Sequence, residues 1–371
     1  MDFTLCAPCL FGLESPLGHE IKRIGGKDVI AADGKVTFKG DYSLLARANI
    51  SLRTAERVCV VLGSFMATSF TELFDEVAKL PFEEWIGRSD AFPVKGWSLK
   101  SQLHSIPDCQ KIIKRAIVRR FEAAYGQTWF EESGPVHQIQ FSILKDEVTV
   151  MLDTSGQGLH KRGYRKGTGI EAPIKETLAA GIADLAHVKA DSVVIDPMCG
   201  SGTFLIESAL RACKIPPGAG RPFAAENWGV IPKEVWKAER QAAMAEVDTK
   251  SAFAAQGWDI DPTAAATTLE NARKAGIIAL TTARQQDISA FVPDREKAIV
   301  LCNPPYGERL LEIKAAEELY RRMGQVFVPK AGYSYYIISP HEQFESLFGR
   351  KATKRRKLYN GMIKCQLFMY F

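Results

Sequence analysis

The chain has 371 residues, 46% of them hydrophobic and 25% charged, with a net charge of +5 at neutral pH. That length suits two or three domains, and the balance is that of a globular protein rather than a disordered or fibrous one. No apolar run approaches ~20 residues, so no membrane-spanning helix is expected. The stretch from Phe3 to Phe11 has no basic flank and carries Pro8, which argues against a signal peptide. The eight cysteines show no disulfide framework, as expected for a reducing cytoplasm. Cys6-x-x-Cys9 has no second pair or histidine partner at zinc spacing, so no metal is expected. Residues 1–153 hold 18 Lys+Arg against 20 Asp+Glu, so the remainder carries +7 and any basic surface must be local.

The first half reads as mixed α+β, dividing near residue 65. The spacing predicts a helix over 108–125, with Lys111, Lys114, Arg115 and Arg119 on one face and Ile112, Ile113, Ala116 and Phe121 turned inward. Residues 154–169 are rich in glycine and base, among them Lys161, Arg162, Gly163, Arg165, Lys166, Gly167 and Gly169, and form the expected junction between halves. Beyond it strands and helices alternate, the signature of a parallel α/β sheet. The expected order is strand one at 192–196, a glycine turn, and a helix from Thr203 to about Ala212. A Pro/Gly-rich insertion at 216–220 then opens a partly helical excursion to about Lys250. A short strand ends at Asp259, and Asp261 and Pro262 start a helix that Gly276 closes. Strand three runs over 280–285, strand four ends at Cys302, a helix lies near 315–328, and strand five runs over 334–339. Asn360-Gly361 marks a closing hairpin.

Two segments carry chemistry. Asn303-Pro304-Pro305-Tyr306 closes the apolar strand 298–302. Two prolines fix φ and remove backbone donors, so a strand cannot continue through them. The Asn303 side-chain oxygen and the Pro304 carbonyl become convergent acceptors, with the Tyr306 ring placed to stack on a planar group bearing an exocyclic amine. The other segment, Asp196-Pro197-Met198-Cys199-Gly200-Ser201-Gly202, follows the strand Val193–Ile195 and lets the backbone pass close to a ligand while turning into a helix with free amides. Asp259, at the next strand's end, can accept both hydroxyls of a ribose, with Asp261 as its competitor. Asp287 ends strand three and is either an adenine contact or a solvated loop carboxylate. In a doubly wound sheet such strand ends face one crevice, and if strand four lies beside strand one, Asn303 faces the glycine loop.

These motifs resemble those of amino-methyltransferases that use S-adenosylmethionine. More particularly, the chain resembles the THUMP-domain RNA methyltransferases of the RlmL type, which act on guanine N2 of 23S ribosomal RNA. Its landmarks are Gly12-Leu13-Glu14, Lys161-Arg162-Gly163-Tyr164-Arg165, Ala172-Pro173-Ile174-Lys175-Glu176, the Asp196 and Asn303 motifs, and Leu358-Tyr359-Asn360-Gly361. The resemblance implies a ferredoxin-like subdomain over 1–65, a THUMP RNA-binding domain over 66–155, and a Rossmann-like methyltransferase domain over 156–371 with a mostly parallel seven-stranded sheet. The implied catalytic residues are Asn303, Pro304 and Tyr306. The cofactor set is Asp196, Met198, Cys199, Gly200, Gly202, Thr203, Asp259, Ile260, Asp287, Ile288 and Asn303. The RNA set is Lys111, Lys114, Arg115, Arg119, Lys161, Arg162, Arg165, Arg355 and Arg356. A single methyltransferase domain is expected here, whereas some relatives of that type are fused to a second one. Transfer RNA is the alternative substrate; a DNA adenine-N6 methyltransferase and a non-catalytic RNA-binding factor are the competing readings, and the target base must leave its helix to be reached.

Overall fold

An eight-residue strand organises the first half. The protein is described by a computed structural model over residues 2–165, 174–307 and 310–371. In chain order come β1 (Phe3–Pro8), α1 (Glu14–Arg23), β2 (Lys27–Ala32), β3 (Lys35–Gly40), α2 (Tyr42–Ser51), β4 (Cys59–Met66), α3 (Phe70–Ala78), β5 (Val94–Leu99), α4 (Ile106–Tyr125), β6 (Ile139–Leu144) and β7 (Glu147–Asp153). The sheet order is β2-β3-β1-β4-β7-β6-β5, antiparallel except between β5 and β6. The start of β4 pairs with β1 (Leu5 with Val60), while its whole length pairs with β7. The sheet is therefore continuous across residue 65. Helix α4 begins two residues earlier than its periodicity suggests, because Pro107 suits the first turn.

The second half contains α5 (Glu176–Leu185), β8 (Val193–Asp196), α6 (Thr203–Ala212), α7 (Lys233–Ala245), β9 (Ala254–Asp259), α8 (Pro262–Lys274), β10 (Thr281–Gln285), β11 (Ala298–Cys302), α9 (Leu310–Val326), β12 (Tyr333–Ser339), α10 (Phe344–Phe348), β13 (Lys354–Asn360) and β14 (Ile363–Tyr370). The order is β10-β9-β8-β11-β12-β14-β13, with only β14 antiparallel to its neighbours. This is the expected Rossmann-like sheet of seven strands. β8 and β11 are neighbours, Val194 beside Ile299 and Ile195 beside Val300, and the strand order reverses there. Both are buried, as parallel strands covered on two faces must be (Val194 0%, Val300 0%). Asp261 caps α8 by accepting from the Thr263 amide at 2.8 Å, with Pro262 in the first turn.

The excursion after α6 leaves the methyltransferase half and packs into the core of the first. Phe223, Trp228 and Trp236 are buried there, and Trp228 stacks on His137 with ring centroids 4.3 Å apart. Arg47 on α2 pairs with Glu239 on α7 at 2.7 Å. Lys354, Arg355, Arg356 and Lys357, expected on the approach to the final hairpin, lie within β13 itself, the outer strand of its sheet, where charge blunts the open edge. Lys166, Gly167, Gly169, Ala172 and Pro173 of the junction motifs lie outside the described residues. Among the described residues no helix is long and apolar enough to cross a membrane.

Candidate active site

At the carboxyl ends of β8, β9, β10 and β11 a cavity of about 630 Å³ opens, where the strand order reverses. It is lined by the 196–201 loop and Thr203, by Asp259 and Ile260, by Asp287 and Ile288, by Asn303–Gly307, and by Asn360 and Ile363 from the terminal hairpin. The two motifs read from the sequence thus share one cavity.

The glycine loop is built for close approach. Gly200 has φ +51° and a Cβ there would have nothing within 4 Å, so its backbone faces open space. Gly202, at φ +77°, is needed for a different reason: a Cβ would meet Thr268 of α8 at 2.8 Å. Cys199 is buried and its amide donates to the Trp258 carbonyl at 2.8 Å, while Thr268 donates to its sulfur at 3.4 Å. Asp259 clamps the loop: one carboxylate oxygen accepts from the Gly200 amide at 2.9 Å and the other from Asp261 at 3.0 Å. Asp261 is instead engaged in capping α8 and does not line the cavity. Asp259, unlike Asp261, faces the cavity.

Asp196 is 2% exposed and accepts from the Met198 amide at 3.1 Å. Burial, with the Asp259 charge adding to it, raises its carboxyl to about 8. Thr203 opens α6 and accepts from Arg165 at 3.3 Å. Asp287 lines the cavity and is held below the ordinary carboxylate range by hydrogen bonds from the Ser289 hydroxyl and amide, with Arg322 3.9 Å away. Ile288 is buried beneath it, whereas Ile260 is exposed. The arrangement fits an adenosyl cofactor: an open cradle at Gly200, an acceptor for a diol at Asp259, and a carboxylate at Asp287 beside an apolar floor.

The Asn303 segment differs from the expectation in one respect. The Tyr306 hydroxyl donates to Asn303 Oδ1, and the ring packs against the second half's core. Burial raises the phenol far above its ordinary value, so it stays a donor. Its oxygen accepts from Asn360 Nδ2 at 3.5 Å, and Tyr320 donates to the Pro305 carbonyl at 3.1 Å. Tyr306 thus orients the Asn303 acceptor through its hydroxyl, while its half-buried ring is part of the cavity lining. Sequence reasoning misses Asn360 and Tyr320 as site residues. Asn360 is legible there as a turn residue and as part of the terminal landmark but not as a cavity residue, and Tyr320 only as one position of an amphipathic helix.

Of the basic residues assigned to RNA, Lys111, Arg115, Arg119, Lys161 and Arg355 are exposed. Three others need correction. Arg162 is buried, donating to the Leu159 and Arg53 carbonyls and to Glu207 at 3.4 Å, so it ties the halves together out of reach of phosphate. Lys114 is half-buried over the Phe92 ring, 3.4 Å from its centroid, and pairs with Glu132 at 2.5 Å. Arg356 donates to the Gly12 carbonyl at 2.9 Å across the junction. Arg165 pairs with Glu176 and also bonds the Ile174 carbonyl at 3.1 Å, at the rim of the cavity. Among the described residues no group of three or more His, Cys, Asp or Glu could hold a metal.

Three family models match successive parts of the chain. The methyltransferase-domain family described as RMKL-like (UPF0020) matches residues 162–368, the RlmL ferredoxin-like domain matches 4–59 and the THUMP domain matches 67–153. The chain is 41% identical over 371 residues to the putative RNA methyltransferase YpsC of Bacillus subtilis, covering 100% of this chain and 96% of that protein. It is 31% identical over 379 residues to the ribosomal RNA large subunit methyltransferase K/L of Syntrophotalea carbinolica, covering 97% of this chain but spanning about half, 52%, of that relative's length. A solved structure of SMU.472, a putative methyltransferase complexed with SAH, is 38% identical with a TM-score of 0.93, covering 100% of this chain and 98% of the other. One from Listeria monocytogenes, described as a predicted N6-adenine-specific DNA methylase, is 44% identical with a TM-score of 0.94, covering 100% and 96%.

Proposed function

The chain belongs to the RlmL-type, THUMP-containing family of class I methyltransferases, and from that membership we propose that it methylates the exocyclic N2 amine of a guanine in the RNA of the large ribosomal subunit. It is an S-adenosylmethionine-dependent RNA methyltransferase. Three units are proposed along it: a ferredoxin-like part to about residue 65, a THUMP part to 155 and the methyltransferase domain beyond. We place its work in the cytoplasm, with its eight cysteines buried and free.

The observation that supports the reading is that Asn303 and Pro304, at the end of β11, line the same cavity as the 196–201 loop. S-adenosylmethionine supplies an electrophilic methyl group when bound; Gly200, Asp259 and Asp287 would hold its two ends. The guanine amine is a poor nucleophile, because its lone pair is delocalised into the ring. Asn303 and Pro304 accept its two N–H bonds and favour the pyramidal nitrogen that can attack. Positive charge grows on that nitrogen, and the fixed acceptors stabilise it, the inverse of an oxyanion hole. Tyr306 holds Asn303 Oδ1 in place through its hydroxyl. Asp196, buried and close to neutral pH in its titration, sits behind the loop and shapes it through Met198.

The adenine-N6 reading shares the Asn-Pro-Pro-Tyr chemistry but gives no role to a THUMP half. Mass spectrometry of nucleosides from RNA and DNA of a strain lacking the gene separates them. Loss of N2-methylguanosine from large-subunit RNA is expected; loss of N6-methyladenine from DNA with ribosomal RNA unchanged would refute the reading.

A further inference from the structure

Two landmarks from opposite ends of the chain, Gly12-Leu13-Glu14 and Leu358-Tyr359-Asn360-Gly361, meet in space, and apart from Asn360 they are left over by the cavity's chemistry. Gly12, at φ +91°, lies against β13 so closely that a Cβ would stand 2.4 Å from the Lys357 carbonyl. Leu13 and Leu358 are both fully buried in one core cluster. That packing accounts for the glycine and the two leucines. It does not account for their neighbours. Phe11 is 51% exposed, and its ring stands 5.8 Å from that of Tyr359, at a tilt of 57°. Lys357 is exposed, and its ammonium lies over the Tyr359 ring at 5.3 Å.

The strand that carries Tyr359 also supplies part of the wall of the catalytic pocket. β13 runs parallel to β12, so its end and the hairpin tip lie at the same edge of the sheet as the ends of β8 and β11. Asn360, the residue after Tyr359, lines the pocket and bonds Tyr306. Beyond the turn, Met362 is 96% exposed and Ile363, 42% exposed, lines the pocket again. Tyr359, next to Asn360 on the strand, points to its other face together with Lys357, where the two meet Phe11 in a cleft of their own. In the same cleft Glu14 accepts from the Gly12 and Gly34 amides at 2.8 and 3.0 Å and Asp33 adds a second acid, so Lys357 is the group there that attracts an anion. Aromatic faces stack on any base, and a lysine alongside suits the attached phosphate.

We infer that Phe11 and Tyr359 form a stacking platform, with Lys357 as its phosphate partner, for the base of an unpaired nucleotide flanking the target guanine. The inference rests on the RNA reading above and extends it: the first subdomain takes part in substrate binding through Phe11. A flanking base held here keeps the strand open beside the flipped target, which otherwise would restack.

The test uses the full chain and short guanine-centred single-stranded RNAs carrying 2-aminopurine at successive neighbouring positions, read by fluorescence quenching. Quenching at one flanking position is expected. Phe11→Leu keeps an apolar cover over the junction but has no π face; it should abolish that quench and weaken binding about 5- to 150-fold, the range for one base–aromatic stack. Its salt dependence should stay unchanged, and Phe11→Trp should restore the quench. Lys357→Gln should lower the log–log salt slope by about 0.7, the value for one phosphate of a single strand left without its cation. A wild-type protein that quenches no position, or a Phe11→Leu protein that quenches like wild type, overturns the platform. Methyl transfer to large-subunit RNA from the deletion strain is measured separately; its failure with the quench intact refutes the guanine reaction and leaves the platform standing.

Discussion

Replacing Asn303 by alanine tests the chemistry most directly. The variant removes one of two acceptors facing the target amine and frees the Tyr306 hydroxyl, which donates to it in the structure. A hydrogen bond to a group gaining charge is worth about 1.5–3 kcal/mol, or roughly 10–150-fold. Loss of one preorganised oxyanion-hole donor, the mirror-image case, costs about 10²–10³ in kcat. Affinity for S-adenosylmethionine should hardly change, since the loop's hydrogen bonds run through Asp259 and Met198 and not through Asn303. Tritium transfer under single-turnover conditions gives the rate, and calorimetry gives the affinity. Tyr306→Phe keeps the ring and removes only the hydroxyl. If that hydroxyl acts through Asn303, adding Tyr306→Phe to Asn303→Ala should cost little more, a strongly non-additive cycle. Transfer within tenfold of wild type by Asn303→Ala would refute the mechanism; additive losses would mean that the Tyr306 hydroxyl touches the target on its own.

Asp259→Ala should weaken S-adenosylmethionine binding by about 1–3 kcal/mol, as both a ribose acceptor and the clamp on Gly200 disappear, whereas Asp261→Ala should cost ~1 kcal/mol of stability through its lost cap and leave the affinity alone; calorimetry showing the reverse would exchange their roles. Asp196 is neutral in the folded protein up to about pH 8, while in the unfolded chain it ionises near ~3.9. The folded state therefore binds the extra proton, so stability from this group is greatest below about pH 4, falls as pH rises toward 8 and is flat above it. Thermal melts from pH 5 to pH 9 should show a steeper decline for wild type than for Asp196→Asn, and parallel curves would contradict the assigned burial effect. Neutralising Lys111, Arg115 and Arg119 together should flatten the salt dependence of RNA binding by about 0.7–0.9 in log–log slope for each phosphate that is no longer neutralised; Lys114→Gln should instead lower the melting temperature, because its ammonium pairs with Glu132. An unchanged slope in the triple variant would leave α4 a solvated face.

Whatever depends on neighbours in the chain is legible in the sequence. Strand β11 ends at Cys302 as its apolar run and the two following prolines require, Asp261 and Pro262 start α8, and the closing hairpin turns just after Asn360. The glycine loop, the acidic strand ends and Asn303 are legible as well, because backbone chemistry and the resemblance both act residue by residue. Their convergence on one cavity is conditional on β8 lying beside β11, and only the sheet order decides that. Long-range pairing lies beyond local pattern: an eight-residue strand such as β4 can be recognised, but not that it joins β1 to β7 in one sheet. The amphipathic excursion through Trp228 and Trp236 shows an apolar face without saying which core receives it, and it is the first half's. Charge behaves in the same way. A lysine or arginine in the sequence is only a cation; whether it meets solvent or a buried carboxylate depends on what folds against it. Arg162 meets Glu207, Lys114 meets Glu132, and Arg115 faces water. Tyr306 is legible as an aromatic beside the target, but the direction of its hydroxyl, toward Asn303 Oδ1, is set by the packing of its ring against the core and by Asn360 from a strand more than fifty positions away.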